Sequence, residues 1–152
     1  MKLIAHRGNI DGINSEVENH PDQIKKCIEH GYDVEIDLRF DELTRELWLG
    51  HDEPQYKISW YFLAEHVHNL WIHCKDIVTL YEFSANRSGY NYFWHQNDDY
   101  TLTSQNYIWT YPGKSYTSRS VIVMPEWNTL DWDRLRIANC YGICSDCVGE
   151  LI

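Results

Sequence analysis

The sequence predicts an α/β fold: a compact TIM-type barrel with several outer helices missing or shortened. Three observations carry this. Short runs rich in β-branched and aromatic residues recur along the whole chain, at KLIAH (2–6), DVEIDL (33–38), LWIHCK (70–75), YNYFWH (90–95), YTLTS (100–104), YIWTY (107–111), SVIVM (120–124) and YGICS (141–145). Helical patterns separate the early runs, and a strand–helix–strand rhythm favours a parallel sheet with helices outside. Finally, 152 residues shared among eight strands leave about 19 per unit, against about 31 in an ordinary barrel of about 250 residues. The expected form is one stripped barrel domain over residues 1–152, with an open α/β sheet as the alternative.

Each element has a local reason. Pro21 suits a first helical position, Ile24, Cys27 and Ile28 make one apolar face, and Gly31 stops the helix. Ser59 caps a second helix carrying Phe62, Leu63 and Val67, and Asp76 caps a third carrying Ile77, Leu80 and Tyr81. Asp131 caps a last one with Leu135 and Ala138. ELWLG (46–50) reads as a hairpin partner of DVEIDL across a turn at 41–44. Residues 96–120 leave no room for a helix.

Composition narrows the function. The net charge of −10 argues against nucleic acid and anionic membrane surfaces as partners, although one or two cations can still hold a single phosphate. No apolar run reaches the roughly 18 residues of a membrane span. The opening MKLIAHRG lacks the apolar core of an export signal, and five cysteines are an odd number; both point to reduced thiols and a cytoplasmic protein. Seven Trp and eleven Tyr are enough to line a ligand cleft as well as a core.

The chemistry-bearing residues fall at strand ends. Glu35 and Asp37 lie two apart and share a strand face; two carboxylates so placed repel unless a cation sits between them, and oxygen ligands suit Mg²⁺ or Ca²⁺. His73 and Lys75 repeat the spacing in the next run, as a third ligand and a phosphate-facing cation. His6 and Arg7 end the first run, and His51 follows Gly50 just beyond another. In a barrel the C-terminal strand ends form one mouth, which gathers His6, Arg7, Asp37, His51 and Lys75 there. Surface carboxylates and a strand-capping lysine are the plainer reading of each residue alone.

HRG at 6–8, EN at 18–19, EID at 35–37 and GHD at 50–52 resemble, in order and spacing, the glycerophosphodiester phosphodiesterase family, within the phosphatidylinositol-phospholipase-C-like barrels. WIHCK (71–75) is similar to its metal-and-lysine strand and GICSD (142–146) to its closing strand. The likeness covers residues 1–75 and the last dozen. It implies that His6 and His51 are the general acid–base pair, Arg7 binds phosphate, Glu35 and Asp37 hold a divalent metal, and Lys75 stabilises the phosphoryl oxygens. The family's third ligand is an acidic residue where this chain has His73. Either His73 ligates through a ring nitrogen, which shifts preference toward Mn²⁺ or Zn²⁺, or a residue such as Glu126 replaces it.

The resulting expectation is a metal-dependent phosphodiesterase acting on a small glycerophosphodiester-like substrate or a phosphodiester head group. A lyase that releases a cyclic phosphate, and an inactive barrel that binds a phosphorylated or sugar ligand, are the alternatives. His95 and Trp109 are expected on the substrate wall. Glu18 (beside Arg7), Glu126 and Asp146 form a second rank of site residues. Cys144 and Cys147 form a CxxC spacing, but a zinc or redox site would need further ligands. Barrel faces lacking helices need cover, from aromatic capping or a homo-oligomer.

Overall fold

The computed structural model describes residues 1–128 and 131–152. In chain order it runs β1 (Lys2–His6), α1 (Pro21–Glu29), β2 (Asp33–Asp41), β3 (Glu46–Leu49), β4 (Tyr56–Ile58), α2 (Trp60–Glu65), β5 (Leu70–Cys74), α3 (Ile77–Asn86), β6 (Tyr92–Phe93), β7 (Tyr100–Leu102), β8 (Ile108–Thr110), β9 (Ser120–Val123), α4 (Trp132–Arg136) and β10 (Gly142–Ser145). Parallel pairing joins β6, β5, β2, β1, β10, β9 and β8 into one curled sheet. The fold is thus a TIM-type barrel stripped of outer helices, and its sheet stays open: β6 and β8 are not paired with each other.

The helix ends follow the expected chemistry. Ser59, Asp76 and Asp131 each accept a backbone N–H of the first turn of α2, α3 and α4. α1 has Pro21 in its first turn and is capped by the His20 ring, which accepts from the Asp22 N–H. Two expectations change. YTLTS is not a barrel stave: β7 runs antiparallel to β8, because only a short turn joins them and a parallel partner needs a long crossover. And YNYFWH contributes only a two-residue strand. No helix connects β8 to β9, so Tyr100, Leu102 and Tyr116 stay 46%, 60% and 42% exposed over that outer face.

Strand alternation divides the interior in two. Ala5, Val34, Ile36, Leu38, Ile72, Ile122 and Ile143 point outward into a core shared with the helices. Ile4, Trp71, Val121, Val123 and Cys144 point inward, with Phe93, Trp109 and Met124, and fill the concave side. At a transfer value of about 25 cal/mol per Å², each buried Val, Leu, Ile or Phe contributes about 1.5–3 kcal/mol relative to exposure. On β2 the outward positions are apolar, so Asp33, Glu35 and Asp37 share the inner face, all nearly fully buried. β2 is covered on both faces and is long enough to pair with β1 and β5 and then, from Leu38 onward, with β3.

Candidate metal and phosphate site

Register sets the site. His6 lies opposite Glu35, and Asp37 lies opposite His73. All three strands run the same way, so these residues meet at their C-terminal ends, above the apolar inner core. One ligand atom from each of Glu35, Asp37 and His73 can be chosen so that all lie within 4.8 Å of one another. His73 Nδ1 stands 3.6 Å from Glu35 Oε1 and 3.4 Å from Asp37 Oδ1.

The arrangement suits a divalent ion. Asp37 Oδ1 is enclosed yet accepts no well-formed hydrogen bond, an unusual state for a buried carboxylate oxygen. Its partner Oδ2 is held by Asn19 Nδ2 at 3.0 Å and Arg7 Nε at 3.1 Å, which turns Oδ1 toward His73. His73 Nε2 lies 2.9 Å from the His95 carbonyl. A carbonyl only accepts, so Nε2 carries the hydrogen and Nδ1 is left to face the carboxylates. A ligating histidine is commonly oriented in this way by a backbone carbonyl. Glu126 lies outside this group of three; its Oε1 accepts from the Asp146 N–H at 2.9 Å and the Ser145 hydroxyl at 3.0 Å, while its buried Oε2 accepts no hydrogen bond.

Charge explains the protonation states. Burial opposes ionisation of Asp37, but His73, Lys75 and Arg7 outweigh it and hold the carboxyl well below its usual range. Burial likewise opposes charge on His73, yet Asp37 and Glu35 raise its pKa to about 9. A proton on Nδ1 and a metal ion therefore compete for the same place between the carboxylates.

Around this cluster stand two cationic side chains and a second histidine. Lys75 Nζ is 3.3 Å from Asp37 Oδ1, and Arg7 also reaches Glu18 Oε2 at 3.3 Å. Arg7 adopts φ +52, a left-handed backbone that costs a long side chain about 1–3 kcal/mol. It is held there because its N–H donates to the Glu35 carbonyl and its own carbonyl accepts from the Asn19 N–H. His6 Nδ1 lies 2.7 Å from Asp146 Oδ1, and Nε2 lies 3.9 Å from Glu35 Oε2. Burial opposes charge on His6, but the Asp146 hydrogen bond and the Glu35 charge raise its pKa. Asn9 ties the groups together, donating to both Asp146 and Glu18.

A cavity of about 560 Å³ opens over the cluster. It is lined by His6, Arg7, Glu18, Glu35, His73, Lys75 and Asp146, and His51, His95 and Trp109 also reach it. His51 stands at the rim, half-exposed, with Nδ1 2.7 Å from Asp52 Oδ1. Gly50 puts it there: at φ +149, an added Cβ would lie 2.0 Å from the Glu53 carbonyl oxygen. The His95 carbonyl meets His73, while the His95 ring lies 5.9 Å from the Tyr111 ring with Nε2 2.5 Å from the Asp98 carbonyl. Trp109 is almost fully buried and packs on Phe93.

Sequence reading missed the orienting roles of Asn9 and Asn19. Asn19 carried a detectable signal, as half of the EN pair before α1. It also occupies a left-handed position that asparagine tolerates better than most residues. Cys27, Cys74, Cys140, Cys144 and Cys147 are all free thiols. The chain matches no protein-family model, no curated protein and no solved structure.

Proposed function

We propose that this protein is a metal-dependent phosphodiesterase acting on a glycerophosphodiester-like substrate. The reading rests on one observation: a buried Glu35–Asp37–His73 cluster shares a cavity with two cations, Arg7 and Lys75, and with an oriented imidazole, His6. A phosphodiester is anionic and gains charge in its transition state. Arg7 and Lys75 bind the phosphoryl oxygens and offset that charge. A divalent ion on Glu35, Asp37 and His73, most simply Mg²⁺, Ca²⁺ or Mn²⁺, would supply Lewis-acid stabilisation of the same group.

His6 is the better-held acid–base group. Asp146 accepts its Nδ1 hydrogen, which leaves Nε2 to exchange the reacting proton. Its raised pKa suits delivery of a proton to the leaving alkoxide. His51, at the rim, accepts the proton of the attacking water. Glu18 and Asn9 keep Arg7 and Asp146 in place.

The test is turnover of glycerophosphodiesters by purified protein with Mg²⁺, Mn²⁺ or Ca²⁺. EDTA should abolish it, and His6→Ala should lower it about 10²–10⁴-fold in a folded protein. Phosphorus NMR of the product separates hydrolysis from release of a cyclic phosphate. An inactive binding barrel would show saturable binding of a phosphodiester and no turnover with any of these ions.

A further inference from the structure

The cavity over the cluster has two unlike halves. One carries the charged groups just described. The other is built by Val123 and Met124 at the end of β9, Trp109 and Tyr111 at the end of β8, Trp127, and Ile13 from the β1–α1 loop. Trp109, Val123 and Met124 are the top layer of the inner core and are buried for that reason alone. Ile13 and Trp127 have no such reason. They are 72% and 62% exposed, yet both line the cavity. Large apolar side chains at a cavity lip that no core packing requires are typical of ligand-contacting surface.

A phosphodiester held by Arg7 and Lys75 has two alcohol arms. Glycerol laid against Ile13, Val123, Met124 and Trp127 would bring its two free hydroxyls to side chains whose one nitrogen or oxygen group is the Trp127 indole N–H, an unfavourable desolvation. Resting on the phosphodiesterase reading, we infer that one alcohol of the substrate carries an apolar alkyl group, which lies along the Met124–Tyr111 wall and leaves the cavity between Ile13 and Trp127. The acidic surface of the chain disfavours an anionic membrane as its source. A single-chain amphiphile free in solution and one presented in a neutral micelle share this chemistry.

The probes are glycerol phosphodiesters differing only in the second alcohol: methyl, hexyl, dodecyl and choline. The hexyl diester should exceed the methyl in kcat/KM by about tenfold or more, since burial of each methylene is worth about 0.8 kcal/mol when complete. Trp127→Ala and Ile13→Asn should each remove most of that gain and leave methyl-diester turnover unchanged. Assaying the dodecyl diester below and above its micelle concentration identifies the source: a rate that keeps rising only above it marks the micelle. Equal kcat/KM for methyl and hexyl, with no effect of Trp127→Ala, would overturn the inference while the phosphodiesterase reading stands. A choline diester preferred over hexyl would also overturn it, because the aromatic wall then serves as a cation cage. Failure to cleave any of the four would instead sink the phosphodiesterase reading.

Discussion

Two ends of one strand differ in how they treat a buried carboxylate. β2 carries Asp33, Glu35 and Asp37 along its inner face. At the lower end Asp33 accepts from Lys2 Nζ at 3.0 Å, Asn69 Nδ2 at 3.1 Å and Trp71 Nε1 at 3.1 Å. At the mouth Asp37 leaves one oxygen without a formed hydrogen bond, facing a histidine and a lysine. Burial alone therefore does not mark a site. Asp33 is a satisfied structural charge; Asp37 is under-satisfied and surrounded by groups of both signs. In parallel α/β sheets the C-terminal strand ends are where chemistry is built, and the contrast along β2 follows that rule.

Substitution tests the contrast most sharply. Asp37→Asn should reduce turnover about a thousandfold or more, the loss of several kcal/mol of transition-state stabilisation, because it removes a ligand charge. Asp33→Asn should leave turnover unchanged and lower stability by about 1–3 kcal/mol, because it weakens three hydrogen bonds to a buried acceptor. Paired kinetics and denaturant unfolding would check both. Equal loss of activity in the two variants would erase the distinction between the ends.

A smaller effect is expected in the pH dependence of stability. His73 has a pKa of about 9 in the folded chain against an ordinary 6.5, so the folded state holds this proton more tightly. The stability it contributes is complete below about pH 6.5 and is lost as pH rises through about 9. Metal-free protein should therefore lose Tm across that window, by thermal denaturation. Ligation needs the neutral ring, so added Mn²⁺ should reduce or reverse the fall. Asp146 has the opposite sign: its lowered pKa gives stability above the ordinary carboxylate range that is lost as pH falls.

Much of this was legible in the sequence, for identifiable reasons. Alternation in DVEIDL put Glu35 and Asp37 on one face, and Ser59, Asp76 and Asp131 signalled their helices through local capping chemistry that no tertiary contact overrides. The pairing of β7 was not legible, because YTL reads the same in a parallel stave and an antiparallel hairpin. Nor was the openness of the sheet, which depends on how far β6 and β8 extend. In the site, residue types at strand ends pointed to Glu35, Asp37 and His73, which do cluster, and to the cations beside them. They did not show that His95 would act through its carbonyl, or that Glu126 would fasten the backbone at Asp146. Such roles depend on contacts between residues 19 to 22 apart in the chain, and no local pattern records them.

The central claim is that His73 completes a metal site with Glu35 and Asp37. Calorimetric titration of Mn²⁺ into metal-stripped protein tests it most directly, with His73→Ala and Asp33→Asn run alongside. One saturable site is expected, weakened at least about tenfold by His73→Ala and unchanged by Asp33→Asn. Absence of saturable binding, or His73→Ala binding Mn²⁺ as tightly as the unaltered chain, would contradict it.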